Sequence, residues 1–343
     1  MNLTSSTADR PILSVEGMSV DIAAPSGQLH AVRDVDFHVM PRETFCIVGE
    51  SGCGKTMTSL ALMRLLPASA RLTAARMELD GLDLLTLSPR EMSALRGDRL
   101  GMIFQDPMTS LNPVYTVGDQ MEEVYLRHRA ATRKEARERA EYLLQRVGIM
   151  SPALRLRQFP HQLSGGLRQR VMIAMTLMCE PKLIIADEPT TALDVTVQAQ
   201  ILQMLTLLQQ EFGMAIILIT HNLGIVARMA DRLAVMYAGK IIETGGAIDV
   251  FTNPQHPYTR GLLRCMPGYG MRGAERRLGS IPGLVPSLIG RVDGCSFRNR
   301  CDFATSDCAS GDLALRAVTA GHSYRCRLEP GEAARNDGEH ALS

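Results

Sequence analysis

An apolar run, Phe45-Cys-Ile-Val48, leads straight into Gly49-Glu-Ser-Gly-Cys-Gly-Lys-Thr56. The pattern G-x-x-x-x-G-K-[ST], set after a strand and before a helix, is a phosphate-binding loop, and few features restrict a fold as much. Its glycines let backbone N–H groups wrap phosphates, Lys55 supplies charge at the β/γ positions, and Thr56 offers a hydroxyl to Mg²⁺. A purely structural glycine turn has no need of the Lys-Thr pair. Gly49, Glu50, Ser51, Gly52, Cys53, Gly54, Lys55 and Thr56 are therefore read as the nucleotide-binding segment. Cys53, near a helix N-terminus, is expected to have a lowered pKa and to be alkylatable when no nucleotide is bound. A small side chain filling space is a better account of it than a catalytic role.

Two more unbroken apolar segments, Leu183-Ile-Ile-Ala186 and Ala215-Ile-Ile-Leu-Ile219, read as buried parallel strands. Between them Gln198 to Phe212 has helical spacing (Ile201, Met204, Leu205, Leu208), which makes a βαβ unit. Asp187 and Glu188 then stand at the carboxyl end of a strand, the binding edge of an open α/β sheet. There Asp187 suits Mg²⁺ coordination through water and Glu188 suits polarisation of an attacking water. His221 ends the next strand, where position alone leaves a structural and a functional role equally open. Upstream, Leu13 to Phe37 alternates as strands around a turn at Ala24-Pro-Ser-Gly27. Arg127 to Arg146 is charged and helical in period, with Ala136, Ala140, Leu143, Leu144 and Val147 on one face and a solvated basic face opposite.

The 343 residues suffice for one large domain and an appendage, with no internal repeat. Lys plus Arg total 37 against 36 acidic residues, so no basic field argues for nucleic acid. The N-terminus lacks the pattern of a secretory signal, and no apolar run approaches the roughly 18 residues that span a bilayer. A soluble, cytoplasmic-type chain is expected, with any membrane connection made through a partner. Beyond Phe251 the sequence turns Pro- and Gly-rich (Asn253-Pro-Gln-His-Pro-Tyr258, Pro267-Gly268, Ile281-Pro-Gly283, Val285-Pro286), which places a boundary near 250. Four of the eight cysteines, Cys295, Cys301, Cys308 and Cys326, crowd this last part. A metal centre explains them better than disulfides. Arg298, Arg300, Arg325 and Arg327 flank them and are placed to offset a cluster's negative charge.

Between the glycine loop and Asp187-Glu188 lies Leu163-Ser-Gly-Gly-Leu-Arg-Gln-Arg170. Ser164 suits an N-cap, and Gly165 and Gly166 leave backbone N–H groups bare at a helix start, where an anion sits well. This octapeptide and the order of motifs resemble the ATP-binding-cassette (ABC) family, whose signature is LSGGQ; Leu167 replaces the Gln. The resemblance covers roughly residues 11–330. It implies an α/β fold: a P-loop ABC ATPase core at 11–250 with an antiparallel β subdomain, a helical subdomain inserted at about 106–180, and a small Cys-rich extension at 251–335. It further implies that His221 is the switch histidine facing the γ-phosphate. Gln105, in Phe104-Gln-Asp-Pro107, would be the Q-loop residue that senses Mg²⁺ and the γ-phosphate and links to a transmembrane partner. Asp194, in Ala192-Leu-Asp194, would belong to the D-loop that couples two sites. The family's adenine-stacking aromatic has no match, for Val20, Ile22 and His30 stand near that place. Composite sites require a second cassette, because the signature of one subunit closes over the ATP of another.

MTSLNPVYTVGDQM (108–121) and NPQHPYTRGLL (253–263) resemble the ATPases of oligopeptide, dipeptide and nickel importers, the signature segment being nearer the first of their two ATPases. That resemblance implies a heterodimer with a non-identical second ATPase, beneath two permeases at the inner face of the membrane and fed by an extracytoplasmic solute-binding protein. ATP hydrolysis would power peptide uptake. Nickel, glutathione or another small solute is an alternative cargo, and a soluble ABC ATPase of nucleic-acid repair or translation is an alternative function. The cysteine spacing, C-x5-C-x6-C-x17-C, lacks the tight pairs of zinc sites. Some members of this importer group share the pattern and carry a [4Fe–4S] cluster, so iron–sulfur is expected in preference to zinc, as a staple for a core-poor extension.

Overall fold

The structure, a computed structural model, describes residues 10–106, 110–191, 193–266, 279–290 and 293–333. Part of the 108–121 motif, Ala192, the Pro267-Gly268 turn and the end of the expected extension lie outside the described residues. The strands in chain order are β1 (Leu13–Ala24), β2 (Gly27–Val39), β3 (Thr44–Val48), β4 (Ala70–Thr73), β5 (Arg76–Leu79), β6 (Leu82–Asp83) and β7 (Leu100–Ile103). They continue as β8 (Leu183–Asp187), β9 (Ala215–Thr220), β10 (Arg232–Tyr237), β11 (Lys240–Gly246), β12 (Arg316–Thr319) and β13 (His322–Tyr324). The α-helices are α1 (Lys55–Leu62), α2 (Pro89–Leu95), α3 (Val117–His128), α4 (Arg133–Arg146) and α5 (Pro152–Arg155). After them come α6 (Gly165–Thr176), α7 (Val195–Phe212), α8 (Leu223–Met229), α9 (Ala247–Thr252) and α10 (Pro257–Arg264).

The chain divides into two compact units. The first holds the described residues up to Leu13, those of Val39–Glu43 and those of Glu78–Leu218. In it β7 and β8 pair in parallel, Leu100 opposite Leu183 through Ile103 opposite Ala186. Every residue of both strands is buried, as a sheet covered on both faces requires. On α7, Ile201, Leu205 and Leu208 bury one stripe, each contributing about 1.5–3 kcal/mol. The expected charged helix over Arg127–Arg146 is two helices, because Thr132 starts a new one. Its hydroxyl accepts from the Glu135 N–H while the Glu135 carboxylate accepts from the Thr132 N–H, a reciprocal cap that ends any continuity with α3. The apolar face of α4 is the one the sequence predicts: Ala136, Ala140, Leu143 and Leu144 are all buried. Its basic face is engaged in ion pairs as well as solvated, with Arg137 on Glu122, Arg139 on Glu180 and Arg146 on Glu211.

The second unit holds Ser14–His38, Thr44–Met77 and the described residues from Ile219 on. Here β1 and β2 flank the turn at Pro25–Ser26, and β4 pairs antiparallel with β1, Ser19 opposite Thr73 through Ile22 opposite Ala70. β10 runs parallel to β3, Arg232 opposite Phe45 through Val235 opposite Val48. β11 pairs antiparallel with β10 on one side and with β13 on the other, and β12 pairs with β13. The residues after 250 therefore share a compact unit with the glycine loop, and β13 covers the free edge of β11.

Candidate nucleotide site and cysteine-rich extension

In the second unit the glycine loop leaves β3 and enters α1. A Cβ on Gly49 would meet the Met236 carbonyl oxygen at 2.2 Å, and one on Gly54, at φ +108°, would meet that of Ala31 at 2.4 Å. Only glycine fits at either place. Lys55 is buried and donates from Nζ to the carbonyls of Gly49 at 2.8 Å and Glu50 at 3.0 Å, so its charge is held on the loop. The loop is thus closely packed on the backbone at Met236 and Ala31, with the Lys55 ammonium drawn against it. Cys53 departs from expectation: it is fully buried, and burial raises its thiol pKa against the smaller opposing pull of Lys55. His221 is exposed at the carboxyl end of β9, and Asn222 after it caps α8. Of the residues at the expected adenine position, Val20 is fully buried core. His30 is turned to Asp21, Nδ1 to Oδ1 at 2.6 Å.

In the first unit β8 delivers Asp187, 2% exposed, and then Glu188. Glu188 has φ +45°, a left-handed conformation that costs a non-glycine residue on the order of 1 kcal/mol and gathers at functional sites. Its Oε2 accepts from Gln105 Nε2 at 3.1 Å and from Thr191 Oγ1 at 2.9 Å. The structure thus brings Gln105 onto the Glu188 carboxylate. Ser164 Oγ caps α6 by accepting from the Leu167 N–H. Among the described residues, a Cβ on Gly165 would meet only Leu193, at 3.9 Å. Asp194 caps α7 through Val197.

Sequence reasoning missed how the extension meets the glycine loop. Glu50 donates its N–H to Tyr258 Oη at 2.9 Å. Its carboxylate takes a two-pronged grip from Arg300, Nη1 at 2.6 Å and Nη2 at 2.9 Å. Arg300 is thus committed to Glu50 and not to the cysteines, and this ion pair raises its pKa. The other three arginines also have backbone partners: Arg298 on Asp293 and Cys295, Arg325 on Ile241 and Leu313, Arg327 on Ser310. The one available signal was the His-Pro-Tyr run, which supplies Tyr258.

Cys295, Cys301, Cys308 and Cys326 are all free thiols in the described part of the extension, Cys326 buried and the other three half-buried. Burial is the main cause that pushes Cys301 up to about 12 and Cys326 up to about 11, and each of these thiols also feels the charge of Cys295 and Cys308. The Cys295 N–H donates to the Cys308 carbonyl at 2.9 Å. Among the described residues no group of three or more His, Cys, Asp or Glu is close enough to hold a single metal ion. Neither the expected iron–sulfur cluster nor its zinc alternative finds support in the described residues.

Two family models match the chain: "ABC transporter" over residues 32–191 and "Oligopeptide/dipeptide transporter, C-terminal region" over 242–308. A putative peptide import ATP-binding protein of Brucella abortus is 49% identical over 327 residues, spanning 92% of this chain and 97% of its own. The dipeptide transport ATP-binding protein DppD of Bacillus subtilis is 48% identical over 332 residues, spanning 96% and 97%. The chain belongs to the ABC transporter family. Among solved structures, a dimeric ABC cassette in a post-hydrolysis state with ADP and Pi matches at TM-score 0.62 and 25% identity, over 68% of this chain and 98% of that one. A subunit of an ABC transporter complex from Clostridium perfringens matches at TM-score 0.60 and 28% identity, over 71% and 92%. The P-loop ABC ATPase fold and an ATPase activity follow for this cassette. Among the described residues no helix is long and apolar enough to cross a membrane.

Proposed function

We propose that this cassette is the ATP-hydrolysing subunit of a membrane importer of di- or oligopeptides. The observation that carries the reading is that its likeness to the dipeptide transport ATP-binding protein runs through cassette and extension alike, over 96% of the chain. In this reading Lys55 and the loop N–H groups hold the triphosphate. Bound Mg²⁺, held by Thr56, Asp187 and Gln105, would neutralise charge on the phosphates. Glu188 takes a proton from the attacking water, Gln105 holds the Glu188 carboxylate until nucleotide binds, and His221 contacts the γ-phosphate.

Ser164, Gly165 and Gly166 face a nucleotide held by a second, non-identical cassette, which accounts for a Gly165 that the described residues of its own chain do not crowd. Asp194 couples the two sites. Val114 and Tyr115, 72% and 54% exposed, follow the Q-loop in sequence and supply apolar surface for a permease. The assembly is placed at the inner face of the membrane, on two permeases served by an extracytoplasmic binding protein. The domain limits are taken as 11–250 and 251–335, the extension being a sequence module and not a separate compact unit.

The four cysteines are assigned to an iron–sulfur cluster in preference to zinc on their sequence spacing, which lacks the tight pairs of zinc sites. When bound, such a cluster supplies a covalent staple. Cells carrying the wild-type chain are expected to take up labelled dipeptide, and Lys55→Ala cells are not. Anaerobic purification in mild detergent is expected to recover two permeases, a second cassette and iron. Uptake independent of Lys55, or no membrane partner, would sink the reading.

A further inference from the structure

We propose that Arg300, from the cysteine-rich extension, is a positioning residue for ATP binding: it neutralises Glu50, a negative charge inside the phosphate-binding loop. The proposal rests on the assignment of residues 49–56 as that loop. A carboxylate one residue into a segment that must receive a triphosphate opposes the anion it serves, for like charges at short range repel even through water. The structure removes that opposition. Arg300 has a side chain only 5% exposed, and its two terminal nitrogens grip both Glu50 oxygens at 2.6 and 2.9 Å.

The guanidinium is itself fixed. Nε donates to the Pro282 carbonyl at 2.8 Å and Nη2 to that of Ile281 at 3.0 Å, while Tyr237 and Phe297 lie against it. A lysine offers one point charge and no fork, so it cannot make this set of contacts. Tyr258, with its ring against Tyr237 and Phe297, takes the Glu50 N–H as well. Glu50 is thereby held by side chain and backbone, both times by residues beyond 250. The extension thus completes the nucleotide site electrostatically, besides any part it plays with a metal.

The test is a double-mutant cycle on the purified full-length chain, read as the dissociation constant of a fluorescent ATP analogue with Mg²⁺. Arg300→Met is expected to weaken binding about tenfold, the scale of a charge-assisted contact. Glu50→Gln, added to Arg300→Met, is expected to restore affinity to within about twofold of wild type, because the uncompensated charge is gone. A merely structural role predicts no such rescue. Arg300→Lys, which keeps the charge but loses the fork, serves if Arg300→Met does not fold, and is expected to weaken binding about threefold at unchanged iron content. Wild-type affinity in both Arg300 variants, or a double variant as weak as Arg300→Met, overturns the proposal. Lys55→Ala binding as well as wild type would instead overturn the loop assignment beneath it.

Discussion

Glu188 sits in a backbone conformation that non-glycine residues avoid, and Gln105 and Thr191 both donate to its carboxylate. That grip fixes where the carboxylate points, which a general base requires before its proton affinity matters. Glu188→Gln is expected to lower ATP turnover at least about a hundredfold while ATP still binds, since the amide keeps the shape and loses the base. Turnover at the wild-type rate would remove Glu188 from the chemistry. Cys53 leads to the opposite expectation from its sequence position. With its thiol buried and its pKa raised, it is expected to react with iodoacetamide far more slowly than a free cysteine in the unfolded chain. Rapid modification of the native, nucleotide-free protein at Cys53, read by mass spectrometry, would contradict that burial. A helix N-terminus was legible in the sequence; the burial of the sulfur that outweighs it is set by packing, which no linear pattern records.

At the level of elements, most strands and helices were legible because periodicity and burial agree. Phe45–Val48, Leu183–Ala186 and Ala215–Ile219 lack any polar face, and all three are buried strands. The helix break at Thr132 was legible too, since Thr-x-x-Glu is a capping pair, but the charged period on both sides of it concealed the stop. Thr132→Ala is expected to cost about 1 kcal/mol of stability in urea unfolding, and Thr132→Ser much less. Equal loss in both variants would mean that the cap is not the cause. What no element shows by itself is the Arg300–Glu50 pair, because it joins residues 250 positions apart. Charge pairing at such range is set by packing, and packing was invisible until the fold was known.

Over the whole molecule, acid should act through His256, which is buried and accepts the Tyr258 N–H at Nδ1. Burial lowers its pKa from 6.5 to about 4, so the folded protein holds it neutral. Its contribution to stability is complete above pH 6.5. It is lost as pH falls from there toward about 4, because the unfolded chain takes up a proton that the fold refuses. The full loss is on the order of 3 kcal/mol. His256→Asn, which retains an acceptor for the Tyr258 N–H, should flatten this part of the profile in urea unfolding at pH 7 and pH 5; an unchanged slope would assign the acid sensitivity elsewhere. Cys301→Ser should lower bound iron without abolishing nucleotide binding, and normal iron content would exclude Cys301 as a ligand.

The edge of β11 is closed by β13, from the far end of the chain. A shortened chain ending near residue 250 would lose that strand and expose a row of unpaired N–H and C=O groups, an invitation to self-association. It would also strip Glu50 of its counter-ion. Exchange of C-terminal modules between related cassettes therefore has two compatibility conditions, the register of one strand pair and the sign of the charge at position 50. A hybrid that meets the first and not the second should fold and yet bind ATP poorly.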